Sequence, residues 1–266
     1  MDQRIRLDLQ HGVADVRLVR ADKMNALDDA MFDALRRTGE QLKTLPGVRA
    51  VVLSGEGNAF CAGLDTANFG AMASGGGGGQ RLLQGPRSAG GANPPQHAVM
   101  VWRELPVPVI AAVHGVAYGG GFQLMLAADL RLMAADTKLS IMEINWGLVP
   151  DMAGMVLLRD LVRDDVAREL TYTGRVFDGH EALQLGLATR LCVDPYAEAL
   201  ALARAIAAKP PKAMRAAKRL LDMAARADTK ELLLAESREQ AALIGAPEQI
   251  EAVNARLQKR AAVFVD

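Results

Sequence analysis

The chain has 266 residues, with 31 Lys+Arg against 31 Asp+Glu, and this zero net charge argues against a nucleic-acid partner, which calls for a basic excess. Half of the residues are hydrophobic, 23% are charged and only 4% are aromatic, so a soluble globular protein with an aliphatic core is expected rather than a disordered chain. The longest apolar stretch, 107–112, is far short of the ~20 residues that cross a bilayer. The charged start MDQRIRLDLQ lacks an apolar signal core, and two cysteines, Cys61 and Cys192, imply no disulfide framework, so cytoplasm is the default.

Ile5, Leu7 and Leu9 alternate with polar residues, as do Val16 and Leu18, and His11-Gly12 lies between them, which reads as two strands and a tight turn. From Asp28 a helical pattern carries Met31, Phe32, Leu35 and Leu42 on one face and ends near Pro46-Gly47. Val48 to Ser54 reads as a buried strand, 55–63 as a loop with a short helix after it. Between Gly70 and Pro95 the composition changes: Gly75 to Gly79 are consecutive, and Gly85-Pro86, Gly90-Gly91 and Pro94-Pro95 follow. The glycine run reads as a flexible surface loop, and its flanks are open to a role as a lid.

Val107 to Val113 is a further apolar strand. Gly119-Gly120-Gly121 opens a helix through Ala127, and Leu130 to Ala134 reads as a strand. Residues 139–144 are extended or turning, and a helix is expected from about Met152 to Val162. After Asp194 the pattern is nearly all helical, punctuated by Pro210-Pro211 and Gly245-Ala246-Pro247. This predicts an α/β part with a loose strand, strand, helix rhythm and a helical tail.

Several chemistries lack their motif. There is no G-x-x-x-x-G-K-[ST] and no G-x-S-x-G, and His11, His97, His114 and His180 have no metal-ligand spacing. Cys61 reads as a packed thiol. Two segments do carry a signal. Gly55-Glu-Gly-Asn-Ala-Phe-Cys-Ala-Gly-Leu-Asp65 and His114-Gly-Val-Ala-Tyr-Gly-Gly-Gly-Phe-Gln123 each follow a strand with a glycine turn and a helix start. Either alone is often only a turn. If they converge, they form a two-donor oxyanion hole for a thioester carbonyl, aided by the helix dipole after Gly120.

Phe60-Cys-Ala-Gly-Leu-Asp65 and Val113-His-Gly-Val-Ala-Tyr-Gly-Gly-Gly121 together closely resemble the crotonase superfamily, the enoyl-CoA hydratases and isomerases. Lys23-Met-Asn-Ala-Leu27 and Trp146-Gly-Leu-Val-Pro150 fit as well, and the resemblance runs from Ile5 to Lys259-Arg260 and Phe264. It implies an α/β fold: a right-handed spiral of β-β-α units over 1–195, and a helical region over 196–266 that builds homotrimers, often stacked as hexamers. The substrate implied is an acyl-CoA thioester, with coenzyme A part of that substrate and no separate cofactor or metal. The oxyanion donors would be the backbone N–H groups of Leu64 and Gly120. Ala62 and Asp65 would lie near the adenine through main-chain contacts and Lys23 near the CoA phosphates. Lys259 matches a lysine that reaches CoA from a neighbouring subunit. For both lysines solvated surface charge is the other reading.

The resemblance also frames the reaction. A hydratase of this kind holds water between two glutamates; one position is Gln123 here, and the other is Glu143. An amide cannot take or give a proton at neutral pH. Eight residues after Glu143 comes Asp151, at the offset where dienoyl-CoA isomerases carry an acid, although those also have an acid where this chain has Gln123. Glu143 and Asp151 are therefore a candidate pair for shifting a double bond, with hydration oriented by Gln123 as the runner-up. An acyl-CoA binder without catalysis is the reading from another class. Asp151 is equally an N-cap for the helix expected from Met152. His114 reads as a turn or packing residue, Trp146 as packing beside the acyl pocket, and Arg81, Arg87 and Arg103 as solvated arginines.

Overall fold

The computed structural model describes residues 4–73 and 78–265. Strands β1 (Ile5–Gln10) and β2 (Val13–Leu18) form a hairpin, and α1 (Asp29–Thr44) leads to β3 (Ala50–Gly55). Next come α2 (Thr66–Ala73), α3 (Gly78–Gln84), α4 (Pro94–Arg103), β4 (Val109–Val113), β5 (Val116–Tyr118) and α5 (Gly120–Leu126). They are followed by β6 (Leu130–Met133), β7 (Lys138–Ser140), a 3-10 turn (Glu143–Trp146), α6 (Gly154–Leu158) and α7 (Asp164–Thr173). Strand β8 (Phe177–Asp178), α8 (Gly179–Gln184) and β9 (Arg190–Leu191) close the α/β part, before α9 (Pro195–Ala207), α10 (Pro211–Ala224), α11 (Thr229–Leu243) and α12 (Pro247–Leu257).

The strands divide between two sheets. The larger has the order β1-β2-β3-β4-β6-β9, parallel except for the β1–β2 hairpin, and the smaller has the order β5-β7-β8. The chain alternates between them. It runs along β4 in the first sheet, steps to β5 in the second, crosses through α5, and repeats with β6 and β7. Cys61, paired in parallel with Ala117 of β5, takes the second-sheet place in the turn that starts with β3. The strand, strand, helix rhythm is thus one turn of a spiral.

Both faces of the larger sheet are covered, which is why β3 and β4 read as unbroken apolar runs. Val51, Leu53, Val109, Ala111 and Val113 face the main core. Ala50, Val52, Ile110 and Ala112 face α9, whose Ala199, Ala203 and Ala207 lie against them. So the first helix of the tail is a layer of the sheet, while α10 and α11 pack on each other.

Some elements differ from the sequence pattern for local reasons. The strand expected from Val107 starts at Val109, because Pro108 has no N–H for the ladder. The three- and two-residue strands β5, β8 and β9 are too short to show a period. Gly75, Gly76 and Gly77 lie outside the described residues, while Gly78 and Gly79 open α3 rather than loop. No helix among the described residues is long and apolar enough to cross a membrane.

Candidate active site

The loop after β3 is threaded between two extended segments. Cys61 N–H donates to Val116 O at 3.1 Å, and Tyr118 N–H to Cys61 O at 3.1 Å. On the other side Leu27 N–H donates to Gly63 O at 2.7 Å, and Asp65 N–H to Leu27 O at 3.0 Å. Amides alternate in direction along an extended chain, so Leu64, between the two groups bonded to Leu27, turns its own N–H away. The expectation of a helix near Leu64 is corrected here: α2 starts at Thr66, and bridge geometry frees this amide.

Glycines bring the second amide close. Gly63 (φ +88°) sits so tightly that a Cβ there would lie 2.6 Å from Tyr118 O and 3.5 Å from Gly120 N. A Cβ on Gly121 would lie 2.2 Å from Cys61 O. The start of α5 therefore packs backbone to backbone on residues 61–63. Among the described residues, Leu64 N–H and Gly120 N–H donate to no protein acceptor. Orphan amides are rare inside proteins, so two on adjoining segments mark a place for an external acceptor.

A buried clamp holds the 55–65 loop. Asn25, in the left-handed region at φ +57°, donates from Nδ2 to Glu56 O (3.0 Å) and Ala59 O (2.8 Å) and accepts from Arg20 N–H (2.9 Å). Arg20 donates to Ala26 O at 3.0 Å and pairs with Asp65 at 2.5 Å. Asp65 Oδ1 also accepts from Ala67 N–H at 3.0 Å. That amide and Arg20 hold the Asp65 carboxyl below its ordinary range, while its main chain is engaged too, N–H with Leu27 O and carbonyl with Asn68 N–H at 2.9 Å. Sequence reasoning assigned nothing to Arg20 or to Asn25. The readable signal was Asn25 within Lys23-Met-Asn-Ala-Leu27, because asparagine tolerates the left-handed region.

Lys23 is exposed on the turn before Met24, whose carbonyl accepts from Ala62 N–H at 2.9 Å, so Lys23 and Ala62 are neighbours. Lys259 is exposed after α12 at φ +53°. The tail beyond it is tied down where Phe264 O accepts from Arg49 at 2.7 Å. Arg49 precedes β3, at the opposite end from the Gly55 loop, so within one chain this anchor is a strand length from Ala62.

Glu143 meets the Gln123 amide of α5. Gln123 Nε2 donates to Glu143 Oε1 at 2.6 Å. Gln123 Oε1 accepts from Met152 N–H at 2.8 Å and Gly154 N–H at 2.9 Å. Glu143 Oε2 is buried and, among the described residues, has no hydrogen-bond partner. Glu143 lies over the glycine turn: a Cβ on Gly119 would be 3.4 Å from its Oε1. Gly120 itself is walled by Leu27 and Met152.

Burial raises the Glu143 pKa above its ordinary value, its hydrogen bonds act downward, and the nearby Asp151 charge pushes it up further. Asp151 is open to solvent on one side, and burial of its carboxyl raises its pKa too. The N-cap reading of Asp151 is overturned. Helix α6 starts at Gly154, its N-cap is Ala153 at φ +68°, and no side chain caps it. The Asp151 carboxylate is left uncapped, near enough for its charge to act on Glu143.

The remaining candidates have ordinary tasks. Burial pushes the Cys61 thiol up to about 12, which removes it as a nucleophile. His114 bonds to Gly57 O, His97 to Glu40, Arg87 to Leu82 O and Gly91 O, and Arg103 to Asp129 and Asp222. The Arg81 side chain lies outside the described residues. Trp146 is half exposed. Among the described residues no group of three His, Cys, Asp or Glu is placed to hold a metal ion.

The sequence matches the family described as Enoyl-CoA hydratase/isomerase over residues 8–266. This chain belongs to that family. It is 30% identical over 256 residues to methylglutaconyl-CoA hydratase of Mus musculus, covering 94% of this chain and 78% of the relative. It is 32% identical over 215 residues to the mouse Delta(3,5)-Delta(2,4)-dienoyl-CoA isomerase, covering 79% and 65%. The crystal structure of an enoyl-CoA hydratase from Bacillus anthracis superposes with a TM-score of 0.88 at 28% identity, covering 98% of this chain and 99% of that one. The spiral of two sheets is thus the crotonase fold, and the relatives include both hydratases and isomerases.

Proposed function

We propose that this member of the enoyl-CoA hydratase/isomerase family shifts a carbon–carbon double bond of an enoyl-CoA or dienoyl-CoA through an enolate. The observation that carries this reading is the acid set. Glu143, against the Gly119 turn that leads to Gly120, and Asp151, whose charge acts on it, are carboxyls with raised pKa, and position 123 holds an amide whose oxygen already accepts two backbone N–H groups. For a 3-enoyl thioester, Glu143 removes a proton from C2. The electrons pass to the carbonyl oxygen, which accepts from Leu64 N–H and Gly120 N–H. A proton returned at C4 by Asp151 or by Glu143 gives the 2-enoyl product, with no water consumed. Raised carboxyl pKa values suit both removal and return near neutral pH.

Ala62 and Asp65 would meet the adenine through their main chains, and Lys23 the CoA phosphates. Lys259 would come from a neighbouring subunit of a homotrimer or of a hexamer of stacked trimers. The exposed Leu233 and Leu234 of α11 and Ile250 and Leu257 of α12 support burial against another copy. The runner-up is hydration of a 2-enoyl-CoA by Glu143 alone, a reading favoured by the hydratase relatives. Assay with crotonyl-CoA and with a 3-enoyl-CoA, fixing the double-bond position of the product, separates the two. Movement of the bond in the second substrate, faster than water addition to the first, is expected. Fast hydration with no shift overturns the isomerase reading, and binding of both thioesters without turnover leaves a binder only.

A further inference from the structure

We propose that Gln123 is a positioning residue that confines proton transfer by Glu143 to one oxygen, Oε2, and that only an amide at 123 does this while also holding the Asp151 loop. The inference deepens the function proposed above, since it takes Glu143 as the group that handles the substrate proton.

The argument is a count of donors and acceptors. A carboxamide has one oxygen with two lone pairs and one nitrogen with two hydrogens. The Gln123 oxygen accepts from two backbone amides, Met152 and Gly154, and only oxygen can do so. The nitrogen therefore faces Glu143 Oε1 as a donor, at 2.6 Å. With a donor on Oε1, a neutral Glu143 carries its proton on Oε2. When ionised, its free lone pairs are there as well. Among the described residues, Oε2 is buried and has no hydrogen-bond partner.

Packing makes the arrangement rigid. Gln123 is 1% exposed, and a Cβ on Gly154 would lie 2.8 Å from Gln123 Oε1, so glycine is needed where the amide docks. The two N–H donors flank Ala153, which is held in the left-handed region, and lie one and three residues after Asp151. One side chain thus holds the Glu143 carboxyl and the backbone that carries Asp151. The groups acting on Glu143 are the amide from α5, the Gly119 turn, the backbone N–H groups of Met142 and Glu143 itself and, as the charged neighbour, Asp151 from the loop. A glutamate at 123 would still accept from both backbone amides. Facing Glu143, it would have no hydrogen to donate, and the two carboxyls would have to share a proton.

The test is a carbon-13 NMR pH titration of glutamate side-chain carboxyls in the ligand-free protein, with the Glu143 signal assigned through Glu143→Gln. In Gln123→Glu the Glu143 signal is expected to titrate about one pH unit or more higher, in two steps shared with the new carboxyl. An unmoved titration in a folded variant overturns the proposal. Hydrogen exchange in the unsubstituted protein is the second measurement and needs no variant. Slow exchange of the Met152 and Gly154 amides is expected, and fast exchange at both overturns the proposal. Neither readout requires substrate. A shifted titration without double-bond movement in the parent would sink the isomerase reading alone, and double-bond movement with an unshifted titration would sink this one alone.

Discussion

Glu143 is ionised at a cost. Its pKa in the folded protein is raised, chiefly by burial, so the sign of its linkage is fixed. The stability it allows is complete below the ordinary carboxylate pKa and is lost as pH rises through its folded value. Glu143→Gln is therefore expected to melt at a higher temperature than the parent at pH 7. The gap should close as pH falls into the ordinary carboxylate range, and thermal scans across pH would check it. The same variant should lose double-bond movement, since an amide exchanges no proton. In the parent, kcat/KM should rise with pH through a limb above the ordinary carboxylate range, because the base must be deprotonated.

Gly120 acts through its backbone. Gly120→Pro removes the N–H, and loss of one oxyanion donor typically costs about 3 kcal/mol of transition-state stabilisation, a ~100- to 1000-fold fall in kcat. The new ring would also press on Leu27 and Met152, so circular dichroism and acyl-CoA binding are needed beside the rate. Retained fold and binding with kcat unchanged would sink the proposed oxyanion role.

At the scale of elements, the site is a set of loops held by distant side chains. Asn25 ties the segment after β2 to the loop after β3 by two hydrogen bonds and accepts a third, local one from Arg20 N–H. Asn25→Ala would leave Glu56 O, Ala59 O and Arg20 N–H without partners and place alanine at a positive φ. The expected loss is about 2–3 kcal/mol of stability, measured by denaturant unfolding. Asp151 shows how a local rule yields to such ties. An acid after Pro150 is a natural N-cap. Here Gln123 holds the amides of Met152 and Gly154 and delays the helix to Gly154, which leaves the acid free. No pattern within 150–154 contains that information, because the partner is on another helix.

At the scale of the molecule, α9 completes the layer behind the sheet, while α11 and α12 leave Leu233, Leu234, Ile250 and Leu257 open to solvent. With association in trimers, light scattering should give a mass of three or six times 28.4 kDa. Leu233→Glu with Leu257→Glu should lower it. If Lys259 reaches CoA from a neighbour, Lys259→Ala should raise KM with kcat little changed, because the contact would be the same in ground and transition states.

The covalent order of the chain was enough for whatever depends on near neighbours. The strands β1 to β4, the amphipathic α1, the glycine-led start of α5 and the helical tail are legible because side-chain period and turn chemistry act within a few residues. The paired glycine segments and Glu143 were legible as motifs. What needed the folded chain was everything carried by contacts across the spiral. That includes the short strands of the second sheet, the α9 layer, the Asn25 clamp, the freed Leu64 amide and the two-sided use of Gln123. The partners that Asn25 and Gln123 bond across the spiral are 20 to 34 residues away in sequence, those of α9 farther still, and they meet only after the spiral has closed. A polar side chain shows its donors and acceptors in the sequence; which of them remain free for a substrate is settled only when packing has supplied the rest.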